Sequence, residues 1–528
     1  MSARPSLLLD GVPLDGTPAH RIRSVRVAAR LDQPTQCEVV YAADPGPAAR
    51  GPGPGPAVPT GATLDVRLAG ERLFTGEVTC VEVEYAADGT ALFRLRGYDL
   101  LHRLRKRQQL RVFEAVTAAD LARELCAEVG LDVDADDDGP RLERLLQHRH
   151  SDLELLLEVA GRAGLHLAAD GDRVRLVTLD GHGEPLPLAL GRTLHSVRLA
   201  TNLDRAAGGS AALGWHPQRA EPLGQQVDTA RTGRRVPLRP DPAVVGADGV
   251  RTLVDQPGRS DDELAALAQA GLDARVAALV TAEGVAEGDP ALRPGRRITL
   301  TGVAEELSGA YVLTEVVHTI DGTGHRTWFS TAPLPSPPRV PAGGAVVTLG
   351  VVTSVDDPDQ RGRVRVRLPG YGDLDAGWLA VLCPGAGRDK GIVALPDPDD
   401  TVLLALPGGE PVSGVVLGSL FGVVAPYDTG VADGRAGRWS VRTGSGQTIV
   451  VDDAARTVRL ATDAGSFLEL TPELTTLHAA TDLVLSAPGR AMVVRARSVD
   501  FLHADTTEDA ATARQQAGAL ARAHSGGG

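Results

Sequence analysis

Between Gly350 and Leu420 short apolar runs alternate with clusters of Gly, Pro and Asp. Arg363-Val364-Arg365-Val366-Arg367-Leu368 switches between charged and apolar side chains with a period of two, the pattern of a strand with one buried face. Turn-forming residues bound each run. The pattern predicts five strands: Gly350–Val355, Arg363–Leu368, Gly391–Leu395, Val402–Leu406 and Val415–Leu420. Five short strands in about 75 residues suit a small Greek-key barrel of the OB type.

The same alternation runs through residues 20–41 and 61–98, as in Ile22-Arg23-Ser24-Val25-Arg26-Val27 and Leu92-Phe93-Arg94-Leu95-Arg96. Pro45–Pro59 interrupts it with Pro, Gly and Ala and reads as a surface loop with little to bury. Three helices are predicted. Thr117–Val129 opens on Thr117 and Asp120 and stops at Gly130; Asp152–Ala163 opens on Ser151 and Glu154 and stops at Gly164; Ser260–Thr281 opens on Ser260 and Glu263. Pro333–Gly344 reads as a stiff linker. Beyond a Gly-rich joint near Asp433–Gly437, single strands recur about every eight to ten residues, a β-helix pattern. They are Ile449–Val451, Val458–Leu460, Phe467–Leu470, Leu474–Leu477, Leu483–Leu485, Met492–Val494 and Val499–Leu502.

Several segments resemble the spike proteins of contractile tails: phage baseplate spikes, type VI secretion spikes (the VgrG family) and extracellular contractile injection particles. In the barrel the matching residues are Gly350-Val351-Val352, Asp357-Pro358, Gly362-Arg363-Val364-Arg365-Val366, Trp378, Pro396, Asp400-Thr401-Val402-Leu403, Gly408-Gly409, Pro411 and Val416-Leu417-Gly418-Ser419-Leu420. Upstream they are Ser151-Asp152-Leu153-Glu154-Leu155-Leu156, Pro294-Gly295 before a strand, Ser308-Gly309-Ala310-Tyr311 and the strand-end His318. The resemblance implies a mainly β chain in five parts. These are a first hub barrel resembling late control protein D (1–190), a second hub barrel (191–335), an OB-fold domain resembling baseplate assembly protein V (345–425), a trimeric β-helix needle (440–505) and a flexible tail (506–528). Ile449, Val451, Val458, Leu460, Leu468, Leu470, Leu483, Leu485, Val499 and Phe501 keep period two within their strands. The three-chain needle would point them at its axis, each strand bonding to strands of neighbouring chains.

Composition narrows the chemistry. The formal net charge is -14, with 68 acidic against 54 basic residues, which argues against a polyanion-binding protein. The OB segment is itself acidic, with only Tyr371, Trp378 and Phe421 as aromatic platforms, so no nucleic-acid partner is expected. No apolar run is long enough for a membrane helix, and Ser6–Leu9 is too short for a signal-peptide core, so cytoplasmic synthesis and assembly are expected. Cys37, Cys80, Cys126 and Cys383 stand far apart and read as buried free thiols.

Asp132-Val133-Asp134-Ala135-Asp136 with Glu143 has nearly the spacing of a calcium loop. Asp137 stands where the loop's turn needs Gly, so no calcium binding is expected. His148-Arg149-His150 and His318 lack the companions of a metal or catalytic site, and none of the nucleotide-binding, zinc-protease or serine-hydrolase motifs is present. The expectation is a chain with no catalytic residue, metal or cofactor. It would cap an inner tube as a homotrimer, carry a PAAR-type tip protein and a cargo effector, and pierce a target envelope when the sheath contracts. The short needle without an added domain points to a released particle or phage-like tail. The alternatives are a type VI spike or an envelope-degrading tail spike enzyme.

Overall fold

The computed structural model describes residues 5–13, 20–43, 58–85, 91–216, 221–256, 260–334, 344–422 and 424–500. Nearly all of the predicted loop Pro45–Pro59, most of the predicted linker Pro333–Gly344 and the predicted tail lie outside them, as does Phe501. The chain divides into two compact units, Met1–Leu420 and Phe421–Gly528.

Within the first unit the alternating segments form one sheet of eleven strands. Its two parts join at the pairing of His20–Arg30 with Glu315–Asp321, in the register Val27 to His318. On one side follow Gln36–Ala43, Ala91–Tyr98, Glu71–Tyr85, Thr63–Leu68, Pro5–Leu9 and Val12–Pro13. On the other follow Gly324–Ser330, Val280–Glu287 and Leu194–Thr201. Period two puts Val25, Val27, Val39, Tyr41, Phe93 and Leu95 into one core, where the rings of Tyr41 and Phe93 stack at 5.2 Å. The outward positions carry Glu38, Glu82, Arg94 and Arg96, which pair with one another. A second core gathers Leu188, Leu194, Leu292, Ile298, Leu300, Tyr311, Val316 and Phe329. Strand His182–Ala189 joins it by pairing with Arg296–Thr301.

The three predicted helices are present: α1 (Ala118–Ala127), α2 (Asp152–Arg162) and α3 (Asp261–Ala277). Thr117 and Asp120 form a complete capping box, as do Ser151 and Glu154. Helix α3 ends earlier than the predicted Thr281, because β-branched Val280 and Thr281 start the strand Val280–Glu287. Asp152, fully buried, accepts from Arg111 Nη2 at 2.8 Å and Gln147 Nε2 at 2.7 Å, which fixes the start of α2 against the sheet of Arg111–Val116 and Leu142–Gln147.

Residues 345–419 form a closed five-stranded barrel. The strands are Ala345–Ser354, Val364–Leu368, Leu374–Val381, Thr401–Pro407 and Val415–Ser419. Four match the sequence pattern. The predicted strand Gly391–Leu395 does not form; Ile392 and Val393 are exposed on an irregular loop. Its place is taken by Leu374–Val381, in a stretch read as turns. There Ala376 and Gly377 are buried in succession beside a register shift, and Gly377 has φ +83°, so the bulge breaks the period that would have exposed the strand. Inward residues Val352, Val364, Val366, Leu368, Leu379, Val402, Leu404, Leu406 and Val416 are completely buried. The first hairpin is tied by Asp357, whose carboxylate accepts from the backbone N–H of Asp359, Arg361 and Arg363 and from the Arg363 guanidinium at 2.5 Å. These donors hold the Asp357 carboxyl well below the usual carboxylate range, the Arg363 side chain most of all.

Candidate functional site

The second unit contains a small hairpin, Val431–Ala432 with Arg435–Ala436, and a sheet of five short strands: Arg438–Arg442, Thr448–Asp452, Thr457–Ala461, Phe467–Leu470 and Thr475–His478. Connections of four or five residues join them, so they pair with their sequence neighbours as an antiparallel meander. This corrects the expected pairing between chains: hairpin loops this short return each strand beside the one just made.

Directly opposed residues share a face. One row across the sheet is Val441, Ile449, Leu460, Leu468 and Leu477; the next is Trp439, Val451, Val458 and Leu470, closed by Thr475. Both rows fall on the same side. The opposite side carries Arg438, Asp452, Arg459, Glu469, Phe467 and His478. Arg438 bonds Asp452 at 2.8 Å and Asp428 at 2.6 Å, and Arg459 bonds Glu469 at 2.8 Å. The Arg459 guanidinium lies 4.1 Å from the Phe467 ring centre, and Phe467 packs on His478 at 5.0 Å. The polar side is satisfied within the chain. The apolar side is uncovered: Trp439 is 63% exposed, Leu460 43% and Leu477 57%.

Six of the ten predicted interface residues, Ile449, Val451, Val458, Leu460, Leu468 and Leu470, stand together on this face. Leu483, Leu485 and Val499 do not join it. They lie in the irregular segment 479–500, so the predicted strands Leu483–Leu485 and Met492–Val494 are absent, and their side chains are exposed. Trp439 and Val441 were missed by the sequence reading. The alternation Arg438-Trp439-Ser440-Val441-Arg442 was the available signal.

The other candidate groups have structural surroundings. Asp132–Ala135 is a strand paired with Arg173–Val177, so the carboxylates spaced like a calcium loop are laid out along an extended backbone, Asp134 bridged to Arg175 at 2.5 Å. His148 packs on Tyr371 with ring centres 5.3 Å apart, and His150 lies 3.6 Å from Glu158. His318 is buried in the long sheet. All four cysteines are free; Cys37 and Cys126 are buried as expected, burial pushing the Cys126 thiol up to about 12, whereas Cys80 and Cys383 are partly exposed. Among the described residues no group of three or more His, Cys, Asp or Glu is arranged to hold a metal ion.

Comparison with known proteins agrees with this architecture. Residues 30–323 match the model of the phage tail baseplate hub (GPD), and residues 348–421 match that of the type VI secretion system/phage-baseplate injector OB domain. No curated protein matches the chain. Among solved structures it is similar to the 43 kDa tail protein of prophage MuSo2 from Shewanella oneidensis, with 15% identity and TM-score 0.50, covering 62% of this chain and 98% of that one. It is also similar to the Escherichia coli c3393 protein, a component of the type VI secretion system with structural similarity to the T4 bacteriophage tail proteins gp27 and gp5. The identity there is 13% and the TM-score 0.50, over 78% of this chain and 99% of that one. A third is the Francisella PdpA-VgrG complex in its half-lidded form, at 7% identity and TM-score 0.52, over 90% and 88%. At these identities the structures speak for the fold alone. The baseplate-hub match itself spans more than half of the sequence, and with the injector OB domain behind it the chain belongs to the phage tail baseplate hub (GPD) family as a hub-spike protein.

Proposed function

We propose that the chain acts as a homotrimer, the central hub and puncturing spike of a contractile, phage-tail-like injection machine. The observation that carries this reading is the apolar face of the sheet Arg438–His478. It is in register over five strands, and among the described residues nothing covers it. Each Leu or Val withdrawn from water there stabilises an assembly by roughly 1.5–3 kcal/mol when burial is complete. An exposed apolar patch of this kind marks an interaction surface. The exposed apolar side chains of residues 479–500 extend the same demand for partners.

On this reading the hub seats on the inner tube and baseplate proteins, and the C-terminal strands form the spike. The spike carries a PAAR-type tip protein and a cargo effector, and sheath contraction drives it through a target envelope. The Francisella VgrG structures contain a second protein, PdpA, which supports the expectation of a further partner. The work is mechanical, and no side chain is assigned a covalent step. The chain is made in the cytoplasm and joins a particle released from the cell.

Light scattering on the purified full-length chain is the direct test. The expected mass is three times 55.0 kDa. A folded monomer at micromolar concentration overturns the trimer. Zymography on purified cell walls tests the mechanical reading, and a cleared band at the position of the chain overturns it.

A further inference from the structure

Beside the junction of the two halves of the long sheet, buried His318 faces the half-buried His325 of the next strand. His318 lies in Glu315–Asp321, the strand paired directly with His20–Arg30, and is 3% exposed. Its ring centre is 5.4 Å from that of His325. His318 Nε2 lies 3.1 Å from the carbonyl oxygen of Leu292, which can only accept, so Nε2 carries the proton and Nδ1 is the acceptor. Nδ1 meets the Thr327 hydroxyl at 3.0 Å and His325 Nε2 at 3.2 Å. That hydroxyl also receives the backbone N–H of Asp289 at 3.4 Å, and the His325 carbonyl receives that of Gly288 at 3.1 Å. The loop 288–295 is thus tied to the sheet through the His318 ring, the Thr327 hydroxyl beside it and the His325 backbone carbonyl. The same loop reaches the first half: Arg293 donates to the Arg72 carbonyl at 2.7 Å and lies 2.9 Å from Asp170.

The arrangement requires a neutral His318. A second proton would remove the acceptor that Thr327 and His325 use and would place a charge in the seam. The groups facing the pair are Asp289 and Arg293 from the loop and the two rings themselves; His20–Arg30 presents Val27 opposite His318. Asp289 favours a proton on His325 and Arg293 disfavours one on His318. His325 Nδ1 is buried with no hydrogen-bond partner, so the second ring is poorly placed to take the charge instead.

We propose that His318 and His325 form a proton-operated catch that holds the loop 288–295 across the seam of the hub and releases it on acidification. Burial, with His325 and Arg293 nearby, depresses His318 from its ordinary 6.5 to about 3. A depressed histidine contributes stability that is fully present above pH 6.5 and is lost as pH falls toward the folded value. At pH 5 opening is therefore favoured roughly thirty-fold more than at pH 8.

Hydrogen-exchange mass spectrometry on the full-length chain, corrected for the pH dependence of intrinsic exchange, tests this. The expected result is protection of peptides from 288–295 and 315–330 that falls tens of fold between pH 8 and pH 5, while peptides from the barrel at 364–381 hold theirs. His318→Gln keeps a donor for the Leu292 carbonyl and cannot titrate; its loop should open more readily at pH 8 and show little further change at pH 5. If that variant does not fold, His325→Gln, which leaves the Leu292 contact in place, should reduce the slope. A wild-type loop that keeps its protection at pH 5 overturns the catch. So does a variant whose loop follows the wild-type pH dependence.

Discussion

The barrel at 345–419 and the sheet at 438–478 are both built from five short strands with alternating apolar positions. In the barrel the ten-residue strand Ala345–Ser354 pairs on one side with Thr401–Pro407 and on the other with Val364–Leu368. Val415–Ser419 then pairs with Leu374–Val381, and the ring closes. Every inward side chain is covered by the opposite wall, and no edge is left over. Among the described residues the sheet pairs only between sequence neighbours, which leaves two free edges and one bare face. The same period therefore has two outcomes. Alternation says that a face exists; long-range pairing decides whether the chain covers it or leaves it for another molecule.

Placing the same charge in the two places breaks the comparison most sharply. Leu404→Asp puts an unpaired carboxylate at a completely buried position and is expected to unfold the barrel, a loss of more than about 5 kcal/mol. Thermal melting of the full-length chain reads this as a missing transition. Leu460→Asp, on the bare face, is expected to change the folding of the single chain by no more than about 1 kcal/mol yet abolish the oligomer in light scattering. An oligomer that survives Leu460→Asp removes this face from the interface.

A smaller effect is expected at the barrel's first hairpin. Asp357→Ala leaves the Arg363 guanidinium with only the exposed Asp359 carboxylate at 2.7 Å and should cost about 3 kcal/mol by denaturant titration. Because the folded Asp357 carboxyl sits below its ordinary range, its contribution is present above about pH 4 and lost as pH falls below it. Asp357→Asn should therefore flatten the acid limb of the barrel's unfolding curve, and an unchanged limb would deny the pair that role. The smallest effect belongs to the polar side of the sheet. Arg459→Ala removes a half-exposed pair with Glu469 and the contact with Phe467, about 0.5–1 kcal/mol, and should leave the oligomeric mass unchanged.

What could be read from the sequence was what is local. The helix starts at Thr117 and Ser151 were legible because cap and partner lie three residues apart. The barrel's alternating strands were legible for the same reason. Leu374–Val381 was hidden by its bulge, and Ile392-Val393 misled because an apolar pair on a loop looks like a strand until its partners are known. On the sheet, Ile449 to Leu470 were found, and Trp439 and Val441 were overlooked one strand upstream. The pairing of His20–Arg30 with Glu315–Asp321 left no trace in either segment, since register between distant strands is written in neither alone.

That pairing also sets a schedule for synthesis. His20–Arg30 leaves the ribosome well before its partner on one side, Glu315–Asp321, which follows nearly the whole hub later. At translation rates of about 5–20 residues per second, the strand waits on the order of 15–60 seconds with a row of backbone groups unpaired. Arg23, Arg26 and Arg30 punctuate that row, and like charges discourage two nascent chains from joining at it. A ribosome paused between these strands would hold the hub in its most aggregation-prone form, and polysomes translating this message would depend most on chaperones in that interval.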